Sequence, residues 1–364
     1  MKNLKVVITG GHATPALATV EELKKENVEI FWFGEKESIE GTGSQTLEYQ
    51  VIPKMGIPFY QIHSTKLHKK NIFKTILTFW KFPLGFIESF VLLSKLKPDL
   101  LLSFGSYVAV PPALSAYILG IPIITHEQTT VPGIANKIVA KMARAIAITF
   151  PESKNDFPKG KTLLTGNPIR PAFFENKRRV KNNIPKILIT GGSRGSQKIN
   201  NAVLPALPEL LEIAVVSHQT GITDFIRVKN ARQELPEKLQ KNYEISANYS
   251  PQDFEAKLKN ADLVISRAGA NTVLEIAALG TASILIPISW SGGGEQIKNA
   301  KALGKTGLAK VLSEDTLTSE VLLDSAKEML KNPPNLNAKK AARELASPTA
   351  SAKVTKLVLD LSQK

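Results

Sequence analysis

Two stretches of this chain carry nearly the same seven residues: KVVITGG at 5–11 and KILITGG at 186–192. Each is an apolar, β-branched run that ends on paired glycines and enters a helical pattern, which reads as strand, tight turn, helix. Glycine lets backbone amides approach a ligand closely. The helix N-terminus beyond it adds unpaired N–H groups and about half a positive charge. Such a turn suits a phosphate or diphosphate. The second copy continues as GGSRGSQKIN (191–200), which fits neither G-x-x-x-x-G-K-[ST] nor G-x-G-x-x-G and so disfavours a P-loop NTPase.

In the first copy, TGGHATPAL (9–17) puts His12 directly after the glycines. Imidazole ordinarily titrates near neutrality, and here it reads either as a base for an attacking hydroxyl or as a plain cap and phosphate contact. Two more loops, FGSYVAVPPA (104–113) and THEQTTVPGIANK (125–137), follow strands on the same edge. The second brings His126, Glu127 and Gln128 to a strand end, where polar residues more often serve function than packing. In the second half, SRAGANTVLEIAALG (266–280) sets another glycine-containing turn before a helix that carries Glu275. Its carboxylate either takes the vicinal hydroxyls of a ribose or merely favours the helix's positive end. Gln296 and Asn299, in GGGEQIKNA (292–300), offer amides to sugar hydroxyls or are ordinary surface residues. No D-x-D, H-E-x-x-H or carboxylate cluster has metal spacing, so no protein-built metal site is expected. His63 and His68, five apart, read as solvated.

These residues need a frame. Apolar runs recur at 5–8, 29–34, 99–105, 121–127 and 145–151, and after GNPIRP (166–171) at 186–190, 212–219, 243–248, 261–267 and 282–288. Runs without alternation, separated by helix-length stretches, indicate parallel strands covered on both faces, the doubly wound α/β architecture. Two such units in tandem predict two Rossmann-like domains with ligand sites beyond the carboxyl ends of the strands, facing one central cleft. The first domain is expected over 1–160, with ESKNDFPKGK as linker, the second over 161–340, and 341–364 as a helix packing back on the first.

A length of 364 residues fits two cores, and 43% hydrophobic with 22% charged residues describes a globular protein. Lys and Arg number 47 against 32 Asp and Glu, a net charge of +15 that favours nucleic acid, anionic lipid or phosphorylated substrates. Scattered lysines and only 7% aromatic residues disfavour nucleic acid. The absence of cysteine excludes disulfides, thiolate metal sites and a cysteine nucleophile, and fits a reducing cytosol. The start, MKNLKVVITGG, has too short an apolar run for a secretory signal. The most apolar long segment, 71–93, is interrupted by Lys74, Lys81, Pro83 and Glu88 and does not span a bilayer. Within it Phe73, Ile76, Phe79, Trp80 and Phe82 interleave with Lys74 and Lys81 and follow Lys66, Lys69 and Lys70. That is the make-up of a helix lying on an anionic surface, or of an ordinary buried helix.

TGGHATPALA, FGSYVAVPPAL, THEQ, GNPIR, GGSRGSQ, HQTG, ADLVISRAGANTVLEIAALG and Q-x-x-N-A stand in the order and at about the spacing of the MurG family, and over nearly the whole chain the sequence resembles it. These are the peptidoglycan N-acetylglucosaminyltransferases that convert lipid I to lipid II. The resemblance implies a GT-B fold, UDP-GlcNAc held mainly by the C-terminal domain, lipid I as acceptor, and no cofactor bound by the protein. It also implies a peripheral place on the cytoplasmic face of the cell membrane, against anionic lipid, with cell-wall synthesis proteins as further partners. The implied reaction is an inverting single displacement with His12, or else Glu127, as base.

Carried over by motif, Ser193 and Arg170 contact the donor diphosphate. Ala270, Asn271, Thr272, Val273, Leu274 and Glu275 line the nucleotide, with Glu275 on the ribose. The backbone near Ser250 and Pro251 meets uracil, and Gln296 meets the GlcNAc hydroxyls. Thr9, Gly10, Gly11 and His12, with Ser106 and Tyr107, face the acceptor diphosphate and the reacting sugar. The first three, with Thr129, also count among the donor contacts, and His126 and Gln128 among the acceptor contacts. The chain departs from the implied family pattern in three ways: the first glycine loop is short, Thr129 replaces an asparagine, and Gly294 and Glu295 replace Asp-His. Rival readings are a GT-B transferase with another lipid acceptor such as diacylglycerol, a UDP-GlcNAc 2-epimerase, and a non-catalytic nucleotide-sugar or membrane-binding module.

Overall fold

The computed structural model describes residues 3–39, 44–65, 80–175, 184–192, 195–290 and 294–362; the expected sites Phe73, Ile76, Phe79 and Ser193 lie outside them. The chain forms two units, Met1–Arg170 with Thr349–Lys364, and Pro171–Pro348.

The first unit holds β1 (Leu4–Thr9), β2 (Val28–Gly34), the short antiparallel pair β3 (Glu37–Ile39) and β4 (Ser44–Gln45), β5 (Phe59–Gln61), β6 (Leu100–Ser103), β7 (Ile123–Glu127), β8 (Ala145–Ile148) and β9 (Thr162–Leu164). Its main sheet runs β5-β2-β1-β6-β7-β8-β9, every pair parallel. The burial of β1 explains why its sequence does not alternate. Val6 and Ile8 face Leu17 and Val20 of the helix Ala13–Leu23, together with Val354 and Val358 of the C-terminal helix. Val7, on the other face, meets Leu93, Ala113 and Val139. Successive side chains point to opposite faces, and both faces are covered, so every position must be apolar. Each such side chain contributes about 1.5–3 kcal/mol by leaving water.

The second unit repeats the plan with β10 (Lys186–Thr190), β11 (Val215–Gln219), β12 (Tyr243–Ser246), β13 (Leu263–Ser266), β14 (Ala282–Leu285) and β15 (Ala309–Val311), parallel in the order β12-β11-β10-β13-β14-β15. In each sheet the winding reverses beside the first strand, between β1 and β6 and between β10 and β13. Ligands of open parallel sheets bind at such reversals, beyond the carboxyl ends. Both TGG turns stand there.

Two expected boundaries need correction. ESKNDFPKGK is not a linker: it holds the 3-10 turn Pro151–Asp156 and leads into β9, which pairs with β8, so the first unit runs to Arg170 instead of 160. The tail from 341 is not one helix. Leu336–Leu345 belongs to the second unit, and the chain returns to the first at Thr349, where Ala350–Ser362 packs against the helix Ala13–Leu23 and β6 and shares the core of β1.

Candidate active site

In the first unit the loops after β1, β6 and β7 meet. Gly11 sits at φ 136°, and a Cβ there would fall 2.5 Å from Gly105 O and Ser106 Cβ. Only glycine allows the two loops to touch. Ser106 itself holds φ 63° and ψ 165°, a region costing a non-glycine residue about 1–3 kcal/mol. It is exposed, and Tyr107 beside it is half-buried. The Gly11 amide donates to Glu48 Oε1 at 3.0 Å, so a carboxylate already sits on this turn. Glu48 lies on the short helix Leu47–Val51 and was not anticipated; nothing in its sequence surroundings marks it. Thr9 is fully buried, and its hydroxyl has no hydrogen-bond partner.

His12 is the N-cap position of Ala13–Leu23 and makes no cap bond, so it is not the helix cap that one reading allowed. Its Nδ1 lies 2.7 Å from the amide nitrogen of Gln128. Desolvation by burial lowers its pKa to about 4 and keeps the ring neutral near pH 7.

The THEQ residues turn inward. His126 is buried, its Nε2 3.1 Å from Gly166 O, and desolvation, the largest influence on it, brings its pKa to about 4. Glu127, 2% exposed, accepts from the Thr129 amide at 2.9 Å, the Thr129 hydroxyl at 2.7 Å and Asn136 Nδ2 at 2.8 Å. A carboxylate so engaged braces a loop. Thr129, where the resemblance led to an expected asparagine, places its hydroxyl 2.7 Å from that carboxylate. Asn136 also donates to His126 O and accepts from Thr125, and a Cβ on Gly105 would fall 2.8 Å from its Oδ1. A buried asparagine inside the amphipathic helix Ile134–Met142 was the signal that sequence reading passed over.

In the second unit, Gly191 folds back on the helix Gln197–Ile213: an added Cβ would fall 2.3 Å from Ser196 N. Gly195 abuts the HQTG loop, its Cβ position 2.2 Å from Thr220 O. Gln219 laces the turn from behind, donating to Thr190 Oγ1 at 3.3 Å and Gly192 O at 3.1 Å while accepting from the Tyr249 amide at 3.2 Å. Behind it runs a buried chain: Tyr243 hydroxyl to His218 Nδ1 at 2.7 Å, His218 Nε2 to Asn200 Oδ1 at 3.0 Å, Asn200 Nδ2 to Asp224 at 2.7 Å. Desolvation lowers the pKa of His218 to about 3.

The helix Ala270–Leu279 begins at Gly269 with no side-chain cap, which leaves its N-terminus open to an anion. Ala270, Val273 and Leu274 are buried packing residues, while Asn271 and Thr272 reach the surface. Glu275 is buried and stands in the second turn, where the end charge has faded, so the helix-end explanation does not account for it. Ser250 caps the helix Pro251–Asn260 through the Asp253 amide at 3.1 Å, with Pro251 at its first position. Gln296 is half-buried, its Oε1 accepting from Ile288 N at 3.1 Å. Asn299 is not a surface residue: it is 3% exposed and donates to Ala268 O, holding the SRAGA loop. Arg267 of that loop pairs with Glu314 through two 3.0 Å bonds, an unanticipated brace. Arg170 ends the first unit. Among the described residues no group of acidic, His or Cys side chains could hold a metal ion.

The sequence matches the glycosyltransferase family 28 N-terminal domain over residues 6–148 and the family's C-terminal domain over 186–356. It is 34% identical to the UDP-N-acetylglucosamine--N-acetylmuramyl-(pentapeptide) pyrophosphoryl-undecaprenol N-acetylglucosamine transferase of Halalkalibacterium halodurans, over 99% of this chain and 100% of that one. The crystal structure of Acinetobacter baumannii MurG superposes with a TM-score of 0.67 at 28% identity, covering 98% of this chain and 99% of that one. A UDP-GlcNAc 2-epimerase from Neisseria meningitidis reaches a TM-score of 0.66 at 14% identity, covering 98% of this chain and 99% of that one, a likeness of fold alone. The two parallel-sheet domains are of the GT-B class.

Proposed function

The chain belongs to glycosyltransferase family 28, and on that premise we propose how its own residues carry the reaction. It is a hexosyltransferase of peptidoglycan synthesis that moves GlcNAc from UDP-GlcNAc to lipid I, forming lipid II and UDP. One observation carries this over epimerisation: the 34% identity to the transferase runs through both domains, against 14% to the epimerase.

In our reading, His12 takes the proton from the C4 hydroxyl of the acceptor's muramyl sugar as that oxygen attacks C1 of GlcNAc and the bond from C1 to the diphosphate breaks, inverting the anomeric centre. Two features support it. The ring is neutral near pH 7, and Gln128 lies against Nδ1, so the side of the ring left for substrate is Nε2, whose protonation the Gln128 amide decides. The open helix start at Gly269 and the turn at 191–192 suit the donor diphosphate and the charge that develops on departing UDP. Glu275 suits the ribose and Gln296 the sugar. The reading assigns no resident cofactor.

We place the enzyme peripherally on the cytoplasmic membrane face. No helix among the described residues is long and apolar enough to cross a membrane. The helix Lys81–Leu96 buries Gly85, Ser89 and Leu93 and exposes Ile87 and Val91 in line with Trp80, which is 59% exposed, beside Lys95. Phe82 is half-buried and adds less than expected. An apolar stripe with flanking lysine suits an anionic bilayer. Ile87→Glu with Val91→Glu should abolish sedimentation with anionic vesicles yet leave transfer to a detergent-solubilised acceptor.

The deciding experiment supplies radiolabelled UDP-GlcNAc with and without lipid I and follows label into the lipid phase. Label only with lipid I is the expected result, and conversion of the sugar without lipid favours the epimerase. His12→Ala should lower kcat by about a hundredfold or more; an unchanged kcat removes His12 from the chemistry.

A further inference from the structure

The contact between His12 and Gln128 joins residues 116 positions apart across two loops, at 2.7 Å, and Gln128 is only 6% exposed. A neutral imidazole carries one proton, and the partner of one ring nitrogen decides where it sits. With the amide nitrogen donating to Nδ1, the proton is forced onto Nε2, and Nε2 then has no lone pair for the acceptor hydroxyl. That orientation also leaves Gln128 Oε1 buried without a partner. A half turn of the terminal amide exchanges its oxygen and nitrogen within the same outline. Oε1 then accepts from Nδ1–H, and the lone pair moves to Nε2.

We propose that Gln128 is the positioning residue that sets the tautomer of His12, its amide oxygen holding the proton on Nδ1 so that Nε2 receives the acceptor's proton. This rests on the reading of His12 as base. Gln128 reaches the ring because its neighbours are fixed: Glu127 is gripped by Thr129 and Asn136, and His126 is anchored on Gly166. Glutamine suits the task better than a carboxylate. A charge this close stabilises the imidazolium and raises the histidine's pKa, whereas the amide orients the ring and leaves it neutral.

Nitrogen-15 NMR of the full-length protein, labelled at its 5 histidines and assigned with a His12→Ala variant, reads the tautomer directly. Protonated Nδ1 and unprotonated Nε2 at pH 7 are expected; the reverse overturns the proposal without any other variant having to fold. Gln128→Leu should lose the single tautomer and lower kcat about tenfold or more while KM for UDP-GlcNAc stays put. Gln128→Glu, able only to accept, should restore the Nδ1–H signal and most of the lost kcat, with the acid limb of the pH profile moved upward. Unchanged kcat in Gln128→Leu also overturns the proposal. Full turnover in His12→Ala, by contrast, sinks the base itself, whatever the tautomer.

Discussion

At the first glycine turn the crowded position is the second glycine: a Cβ on Gly11 would fall 2.5 Å from the backbone of Gly105, while Gly10 would meet only the side chains of Glu48 and Trp32, at 3.0 and 3.1 Å. At the second turn the order is reversed. Gly191 would meet Ser196 N at 2.3 Å, and Gly192 has open space around it. The same TGG is thus packed from opposite ends. The first turn is pressed against another loop and presents His12; the second is pressed against its own helix and keeps its outer residue clear. A shared strand and turn fixes the path of the backbone but not which amide faces a ligand.

Among single substitutions the largest effects test this crossing. Gly11→Ala and Gly191→Ala should each cost about 3 kcal/mol or more, because backbone must move to admit the methyl group. Gly192→Ala should cost about 1–2 kcal/mol from its φ of 83° alone, and Gly10→Ala less than its neighbour. Urea unfolding of the four variants measures the order; equal losses at Gly10 and Gly11 would break the comparison.

Acid should separate the two units next. His12 and His126 in the first, with pKa values near 4, and His218 in the second, near 3, are neutral when folded and take up protons on unfolding below about pH 6.5. Where the unfolded state binds more protons, stability falls as pH falls. The loss therefore begins near pH 6.5 and is complete near pH 4 in the first unit and pH 3 in the second. At pH 4.5 each histidine costs on the order of 3 kcal/mol, so the first unit, with two, should lose about twice as much as the second. Hydrogen exchange by segment at pH 7 and 4.5 reads this.

The strand order and the site loops were legible because apolar runs and glycines answer to local rules. KVVI and KILI must be apolar when both faces are covered, and the turns fall at the strand ends whatever surrounds them. The inward or outward sense of a polar side chain follows no local rule. Glu127, read as an alternative base, and Asn299, read as a sugar contact or a surface residue, are buried and hold loops. Glu48 gave no local sign because its partner lies 37 positions away, while Asn136 in its amphipathic helix and Gln219 in HQTG stood out without revealing their partners, 9 and 27 or more positions away. The boundary at 160 failed similarly, since a Lys- and Pro-containing stretch reads as a linker until β9 is seen pairing with β8.

The smallest effect addresses the charge at the two turns. The Gly192 amide donates to the neutral Thr190 hydroxyl at 3.1 Å, whereas the Gly11 amide donates to the Glu48 carboxylate at 3.0 Å. The second turn's amide therefore meets a neutral oxygen, and the first turn's meets a carboxylate. If the lipid diphosphate is seated at Gly11, as the family resemblance implies, it must displace the carboxylate or lie beside it. Two like charges about 4 Å apart repel by about 1 kcal/mol in water-like surroundings, roughly a fivefold change in affinity. Glu48→Gln keeps an oxygen for the amide and removes the charge. It should lower KM for lipid I by about that factor and leave KM for UDP-GlcNAc unchanged. If KM for lipid I stays constant or rises, the carboxylate belongs to the packing of the turn, the diphosphate is seated away from Gly11, and the first turn serves only to aim His12.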